Sequence, residues 1–175
     1  MPSANCPHQS MLRAARFSAP NVVYSVTSCV EGRQMRLVLS PSHPQESDRR
    51  ANIVMSCLRW LHLHRRIACH AYVVMPDHVH LIFALGDGQT LPAVMTSFGA
   101  FTGRQLNALD GSRGRFWQKG FYDHAIRNQA DLQAKVDYVL ANPIRKGFVL
   151  NPEDWPFSAS YPDWGTLNEV TDYSL

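Results

Sequence analysis

The residues best suited to chemistry fall in two groups far apart in the chain. The first is Pro76-Asp77-His78-Val79-His80-Leu81-Ile82-Phe83, which follows the apolar run Ala71-Tyr72-Val73-Val74-Met75. A Pro-Asp turn between two runs of strand formers predicts a β-hairpin. Side chains alternate along a strand, so Val79, Leu81, Phe83 and Leu85 share an apolar side that faces the core. His78 and His80 share the other side, about 6–7 Å apart along the strand. Two imidazoles at that spacing can converge on one metal ion. On a half-exposed strand they can equally be satisfied by water or backbone.

The second group needs a helix. Asn128 fits an N-cap, and Asp131 places an acid in the first turn. The pattern continues to Leu140, and Pro143 disfavours helical geometry at Asn142, which predicts the end there. Leu132, Val136, Val139 and Leu140 form one apolar stripe. Asp131, Lys135, Tyr138 and Asn142 line up on a different face. A phenol, a lysine and an amide on that face fit solvated decoration. They also fit phosphoryl transfer, as nucleophile, cation and third metal ligand. Among the other tyrosines, Tyr122 lies in an aromatic run where packing explains it, and Tyr24 and Tyr72 have no neighbouring cation. His62-Leu63-His64 repeats the His-x-His form, but on a predicted helix. Residues two apart on a helix point roughly 200° from each other, so these two cannot share an ion.

Three stretches then resemble a known family. Met75-Pro76-Asp77-His78-Val79-His80-Leu81 resembles the HUH motif (His, hydrophobic, His) of the single-tyrosine transposases. Trp117-Gln118-Lys119-Gly120-Phe121-Tyr122-Asp123-His124 and Asp137-Tyr138-Val139-Leu140-Ala141-Asn142-Pro143-Ile144-Arg145-Lys146-Gly147 resemble the later blocks of one branch, the REP-associated tyrosine transposases. The resemblance covers residues 21–161, and three blocks in this order are specific where a lone His-x-His is not. It implies that Tyr138 is the nucleophile, that His78 and His80 are metal ligands and that Asn142 is the third ligand. The activity it implies is that of a DNA transposase and single-stranded DNA endonuclease, cleaving and rejoining through a covalent 5′-phosphotyrosine. The implied substrate carries a hairpin of the REP type. The cofactor is a divalent metal, Mg2+ or Mn2+: the family is expected to use magnesium, whereas an imidazole pair suits a softer ion. Either a monomer or a homodimer is compatible. Relatives with swapped tyrosine helices are dimers, and this branch is expected to act as a monomer. The chain departs most from the family around residues 25–36, which bears on target recognition. The alternative is a non-catalytic ferredoxin-like nucleic-acid-binding protein derived from such an enzyme, and a third class is a metal-dependent hydrolase with no covalent intermediate.

Further candidates for phosphate or DNA contact are Lys135, beside Tyr138, and Arg115 and Lys119. The last two are interleaved with Trp117 and Phe121 and could grip a single strand by charge and stacking. Packing explains Trp117 equally well. A formal charge of +3 fits a nucleic-acid partner without requiring one. The four cysteines show no Cys-x-x-Cys spacing and read as reduced thiols of a cytoplasmic protein. No apolar stretch reaches the roughly 20 residues of a membrane span, and residues 1–20 lack a signal-peptide core.

A chain of 175 residues is long enough for one domain with a sizeable core. The expected organisation is a flexible segment over residues 1–20, a catalytic domain over 21–150 and a tail over 151–175. In order, the patterns predict a strand over 21–30, a short strand over 35–39 and a helix over 46–66 whose arginines, Arg49, Arg50, Arg65 and Arg66, are solvated. The hairpin over 67–85, a helix over 91–109 and a last core strand over 115–127 follow, and then the helix of Tyr138. Strand, helix, hairpin, helix, strand is the ferredoxin-like order. The expected fold is therefore α+β: a ferredoxin-like antiparallel sheet with helices on one face, plus a C-terminal catalytic helix and an irregular, docked tail. The face carrying His78 and His80 is expected to be free.

Overall fold

The central element of the computed structural model is the strand β3 (His78–Leu85), flanked by β1 (Val23–Cys29) and β2 (Ile67–Val74). The structure describes residues 22–39 and 44–160. All strand pairs are antiparallel, and the sheet order is β4-β1-β3-β2-β5, with β4 at Tyr122–Ala125 and β5 at Ser158–Ser160. The predicted hairpin is present and turns at Met75-Pro76-Asp77, where Met75 N–H donates to the His78 carbonyl at 2.8 Å. A bulge at His70 shifts the β2–β3 register between Cys69 and Ala71.

Two long helices cover one face of the sheet. They are α1 (Pro44–Leu63) and α2 (Leu91–Leu109), which pack on each other, with α1 on β2. Tyr72 lies opposite Leu81, and its hydroxyl donates to Met55 Sδ at 3.2 Å, which fixes this as the side facing α1. Thr90 caps α2 by accepting from Ala93 N–H. Gly99 and Gly103 let the Trp117 side chain approach the helix, and its indole N–H donates to the buried Thr102 hydroxyl at 2.8 Å.

The other face is not free. The helix α3 (Gln129–Leu140) packs over β2, β3 and β5, and Ile82, which points to that side, is fully buried. A strand with apolar residues on both sides needs cover on both. The alternation of Ile82 and Ala84 with the inward residues already carried that information.

Four other expectations are corrected. Residues 35–39 form no strand; Leu37 N–H donates to the Pro76 carbonyl instead of joining a ladder, and Leu37 and Val38 are buried as anchors. Arg50 is not solvated. It is buried and pairs, with Arg36, on Asp110 at the end of α2. Burial works to raise the Asp110 pKa, but hydrogen bonds from Arg50 and Arg36 hold it below the usual carboxylate value. The last core strand is only Tyr122–Ala125, and all four of its residues are exposed. The left-handed backbone at Gly120 (φ 90°) interrupts the aromatic run, and Phe116 and Trp117 turn inward ahead of it. The segment after Gly147 docks, as hydrophobicity predicts, and also contributes the unforeseen β5. Trp155 is buried between Phe148 and Phe157 and donates to the Val74 carbonyl at 3.1 Å. Residues 1–20 and 161–175 lie outside the described residues.

Gly86 gives a direct test of this packing. A Cβ there would lie 2.0 Å from the Arg65 carbonyl oxygen, a backbone atom that cannot swing away. At Gly103 the nearest atom is Phe116 Cβ at 3.3 Å. Gly86→Ala should therefore lower unfolding stability by about 1–3 kcal/mol in urea titration. Gly103→Ala should stay within about 1 kcal/mol of the parent, because better helix propensity offsets the tighter contact.

Candidate active site

The β1–β3 register sets the site. It pairs Thr27 with His80 and Cys29 with His78, and alternation puts all four on the face that α3 covers. The two Nε2 atoms of His78 and His80 face each other at 3.1 Å. The Nδ1 atoms are held from behind, His78 by Asp77 Oδ1 at 2.5 Å and His80 by the Thr27 hydroxyl at 2.7 Å.

Asp77 is held in turn by Arg33, whose Nε lies 2.9 Å from Oδ2. Arg33 reaches it through a tight turn in which Gly32 (φ 62°) and Arg33 (φ 55°) are both left-handed. That conformation is uncommon for a residue with a Cβ. The Arg33 guanidinium also donates to Cys29 Sγ at 2.8 Å. Burial pushes the Cys29 thiol pKa up, which keeps it neutral.

Both histidines are neutral near pH 7. Burial lowers the His78 pKa; Asp77 opposes this, while the charges of Arg33 and Lys146 add to it. Burial, then the neighbouring His78, brings His80 down to about 3. Asp77 can only accept, so His78 carries its proton on Nδ1 and presents a lone pair at Nε2. Without an ion, the 3.1 Å contact requires the proton of His80 on Nε2, with Thr27 donating to Nδ1. Were both Nε2 atoms to hold an ion, the His80 proton would sit on Nδ1 and Thr27 would accept from it. A hydroxyl serves in either role.

This donor set fits a divalent metal. Two nitrogens each about 2.1 Å from one ion, at right angles, lie about 3 Å apart. The rear hydrogen bonds to Asp77 and Thr27 are the kind that orient ligating imidazoles. Among the described residues, no third His, Cys, Asp or Glu joins the pair.

The tyrosine helix comes down against this pair. Asn128 caps α3 by accepting from Asp131 N–H at 2.9 Å, as predicted. The Tyr138 ring lies edge-on to His80, with centroids 6.4 Å apart, and Tyr138 remains 48% exposed, so a substrate can reach it. The helix breaks at Ala141 and resumes as a short turn, α4 (Asn142–Arg145). Pro143 has no N–H for the Val139 carbonyl. The Asn142 side-chain amide donates to that carbonyl at 3.3 Å and to the Tyr138 carbonyl at 3.0 Å. Asn142 therefore continues the helical path that proline was expected to end. Its nitrogen is committed to the helix.

The remaining candidates separate. Lys135 is half-buried, and its charge is felt at Asp131, whose carboxyl is held low first by the Arg127 backbone N–H and next by His124. The cation over the Tyr138 ring is Arg145, with its guanidinium carbon 4.4 Å from the centroid. Arg115 and Lys119 are exposed in the loop before β4, Arg115 lying 3.9 Å from Glu31. Trp117 is buried and cannot stack on a base. Tyr122 is 51% exposed on the edge strand rather than packed. His62 accepts from the Cys69 N–H, and His64, just past the end of α1, bonds the Trp60 carbonyl through Nδ1, so the two imidazoles bond different partners. Arg33, Asp77, Thr27 and Arg145 were not singled out from sequence. Asp77 beside His78 was the readable signal; Arg33 and Thr27 depend on tertiary placement.

Comparison with known proteins places the chain and its fold. The family model "Transposase IS200 like" matches residues 35–142. The chain is 35% identical to the REP-associated tyrosine transposase of Escherichia coli (strain K12) over 119 residues, 63% of this chain and 68% of that protein. It also superposes on the solved structure of a REP-associated tyrosine transposase bound to a REP hairpin. The TM-score is 0.64 at 26% identity, covering 91% of this chain and 93% of that one.

Two outcomes follow from the site. A histidine whose pKa falls on folding is protonated first in the unfolded chain. The stability tied to neutral His80 is complete above about pH 6.5 and drains away as pH falls toward the folded value. In chelator, wild type should lose more stability between neutral and mildly acidic pH than His80→Gln; equal losses would contradict the buried neutral imidazole. At Asn142, alanine removes both amide donors, and aspartate sets an acceptor against two carbonyls. Both Asn142→Ala and Asn142→Asp should destabilise by roughly 1–3 kcal/mol in urea titration, and aspartate should be no milder.

Proposed function

We propose, because this chain belongs to the IS200-like transposases and to their REP-associated tyrosine branch, that it cuts and rejoins single-stranded DNA through Tyr138, assisted by a divalent metal at His78, His80 and Asn142. The observation that carries the reading is the meeting of the two sequence-distant groups: the Tyr138 ring lies against His80, whose Nε2 faces that of His78.

The chain's own residues divide the work. His78 and His80 present two nitrogens, and the Asn142 amide offers an oxygen one helical turn from Tyr138. When bound, a divalent ion supplies a Lewis acid for a non-bridging oxygen of the scissile phosphate. Arg145 holds positive charge at the Tyr138 ring, and Arg33 and Lys146 add to the field at His78. That field favours a phosphate beside neutral imidazoles. The Tyr138 oxygen attacks phosphorus, and the bond to O3′ breaks as the new P–O bond forms. The phenol gives up a proton and the leaving O3′ takes one up. The 5′ phosphate stays on the tyrosine, and a 3′-hydroxyl can reverse the step. One phosphodiester bond is exchanged for another, so no nucleotide hydrolysis is needed.

The substrate class we assign is single-stranded DNA bearing a hairpin, by analogy with the solved relative bound to a REP hairpin. Mg2+ or Mn2+ suits a site of two imidazoles and an amide oxygen.

Incubation with a labelled hairpin oligonucleotide should give a denaturant-resistant adduct that maps to the Tyr138 peptide. Tyr138→Phe should abolish the adduct with folding intact, and Tyr122→Phe should keep most of it. His78→Ala, His80→Ala and chelation should each abolish cleavage, and added manganese should restore chelated wild type. Full activity in EDTA, or an adduct surviving in Tyr138→Phe, would sink the mechanism. Binding without cleavage would instead identify a DNA-binding protein that has lost the chemistry.

A further inference from the structure

One well-formed concavity lies away from the histidine pair. It is a groove of about 800 Å3 between α2 and the loop leading into β4, within the range of about 300–1,000 Å3 typical of ligand pockets. Ser28 lines it, whereas its neighbours Thr27 and Cys29 face the histidines, so the groove opens on the opposite face of the sheet. Gly99, Ala100 and Gly103 of α2 line it beside the Trp117 side chain that packs on those glycines, and half-buried Phe121 lines it too.

Three arginines line this groove, Arg104, Arg113 and Arg115, and no acidic residue does. Arg104 and Arg113 are exposed and take part in no ion pair among the described residues, and Arg115 is only 3.9 Å from the similarly exposed Glu31. The occupant must therefore be anionic. It must also present flat apolar surface, because a small anion would leave the α2 lining and Phe121 unused. A phosphate chain carrying bases at intervals meets both demands, and a recessed groove takes bases that are unpaired. Gln118, Gly120 and Phe121 line the groove and run in sequence directly into the exposed edge strand β4, whose far side is the face of Tyr138.

We propose that this groove is a second, non-catalytic site that holds unpaired nucleotides of the DNA substrate on the far side of the sheet from the scissile phosphate. The strand rounds the β4 edge between the two sites. Arg104, Arg113 and Arg115 neutralise its phosphates, and Phe121 stacks on a base. The assignment rests on the single-stranded DNA reading above, and it adds where the strand is held away from the cut.

The test uses the full chain in two arms. In the Tyr138→Phe background, fluorescence anisotropy compares a hairpin oligonucleotide carrying a short unpaired flank with the same hairpin lacking it. Arg104→Ala combined with Arg113→Ala should weaken binding of the flanked hairpin by about tenfold and lower its salt slope by about 1.4, the value for two single-strand phosphate contacts. Ala100→Glu should weaken it similarly. Binding of the flankless hairpin should change less than about twofold, and the melting temperature should hold because the three positions are exposed. A photoreactive halogenated uracil in the flank should cross-link to the Phe121 peptide. Unchanged binding of the flanked hairpin, or cross-links only at the Tyr138 peptide, would overturn the proposal. In the second arm Tyr138 is restored and adduct formation is read at saturating DNA. Adducts at the wild-type rate with unchanged affinity remove the groove and leave the chemistry. Lost affinity in the groove variants, with no adduct even in wild type, removes the chemistry and leaves the groove.

Discussion

Everything at the site depends on the register of β3 between its two neighbours. Thr27 opposite His80 and Cys29 opposite His78 is one of two possible parities. A slip of one residue would turn both imidazoles into the layer beneath α1 and α2 and bring Val79 and Leu81 out. The core prevents this, because Val79, Leu81 and Phe83 on one side and Ile82 on the other are all almost fully buried. The same packing that stabilises the sheet therefore decides which face can do chemistry.

Burial then sets the charge state. An imidazole pair in contact and out of water cannot easily accept protons, and nearby Arg33 and Lys146 make it harder. Asp77 orders the pair without charging it. Its carboxylate bridges His78 and Arg33, so a residue in an unfavourable backbone conformation ends in an ion pair. Strain of this kind persists where surrounding contacts hold it. Thr27 contributes through ambivalence, since its hydroxyl can donate or accept as the protonation of His80 changes.

The legible parts were those fixed by local physics. The Pro-Asp turn, the two-residue period of β3 and the Asn128 cap are set by neighbours in sequence, and each is found where the pattern placed it. Asn142 was placed correctly near Tyr138, but its backbone was not, because a side chain replaced the hydrogen bond that proline deletes. Residues 35–39 were misread since an apolar pair that anchors a loop has the same composition as a short strand. Arg50 was assigned to solvent because its partner Asp110 lies on another helix. Arg145 over Tyr138 depends on the helix resuming after Ala141. The three-residue β5 carries too little pattern to be seen, and its pairing with β2 is fixed by Trp155 anchoring to Val74.

The outer edge of β1 is closed by a single continuous stretch. Gln118 bonds the Cys29 carbonyl, Trp117 bridges Val30, and Tyr122–Ala125 pairs with the middle of the strand. Ile126 then bonds the Val23 carbonyl. An unprotected edge of that length, next to strands as apolar as β3 and β2, would be a template for sheet growth between molecules. What is shown outward instead is a four-residue strand bearing Asp123 and His124, and a charge on so short an edge discourages a further strand from adding. The segment that carries two of the groove's three arginines thus also keeps the most hydrophobic strands from polymerising, so that losing it would endanger colloidal stability before it touched the tyrosine.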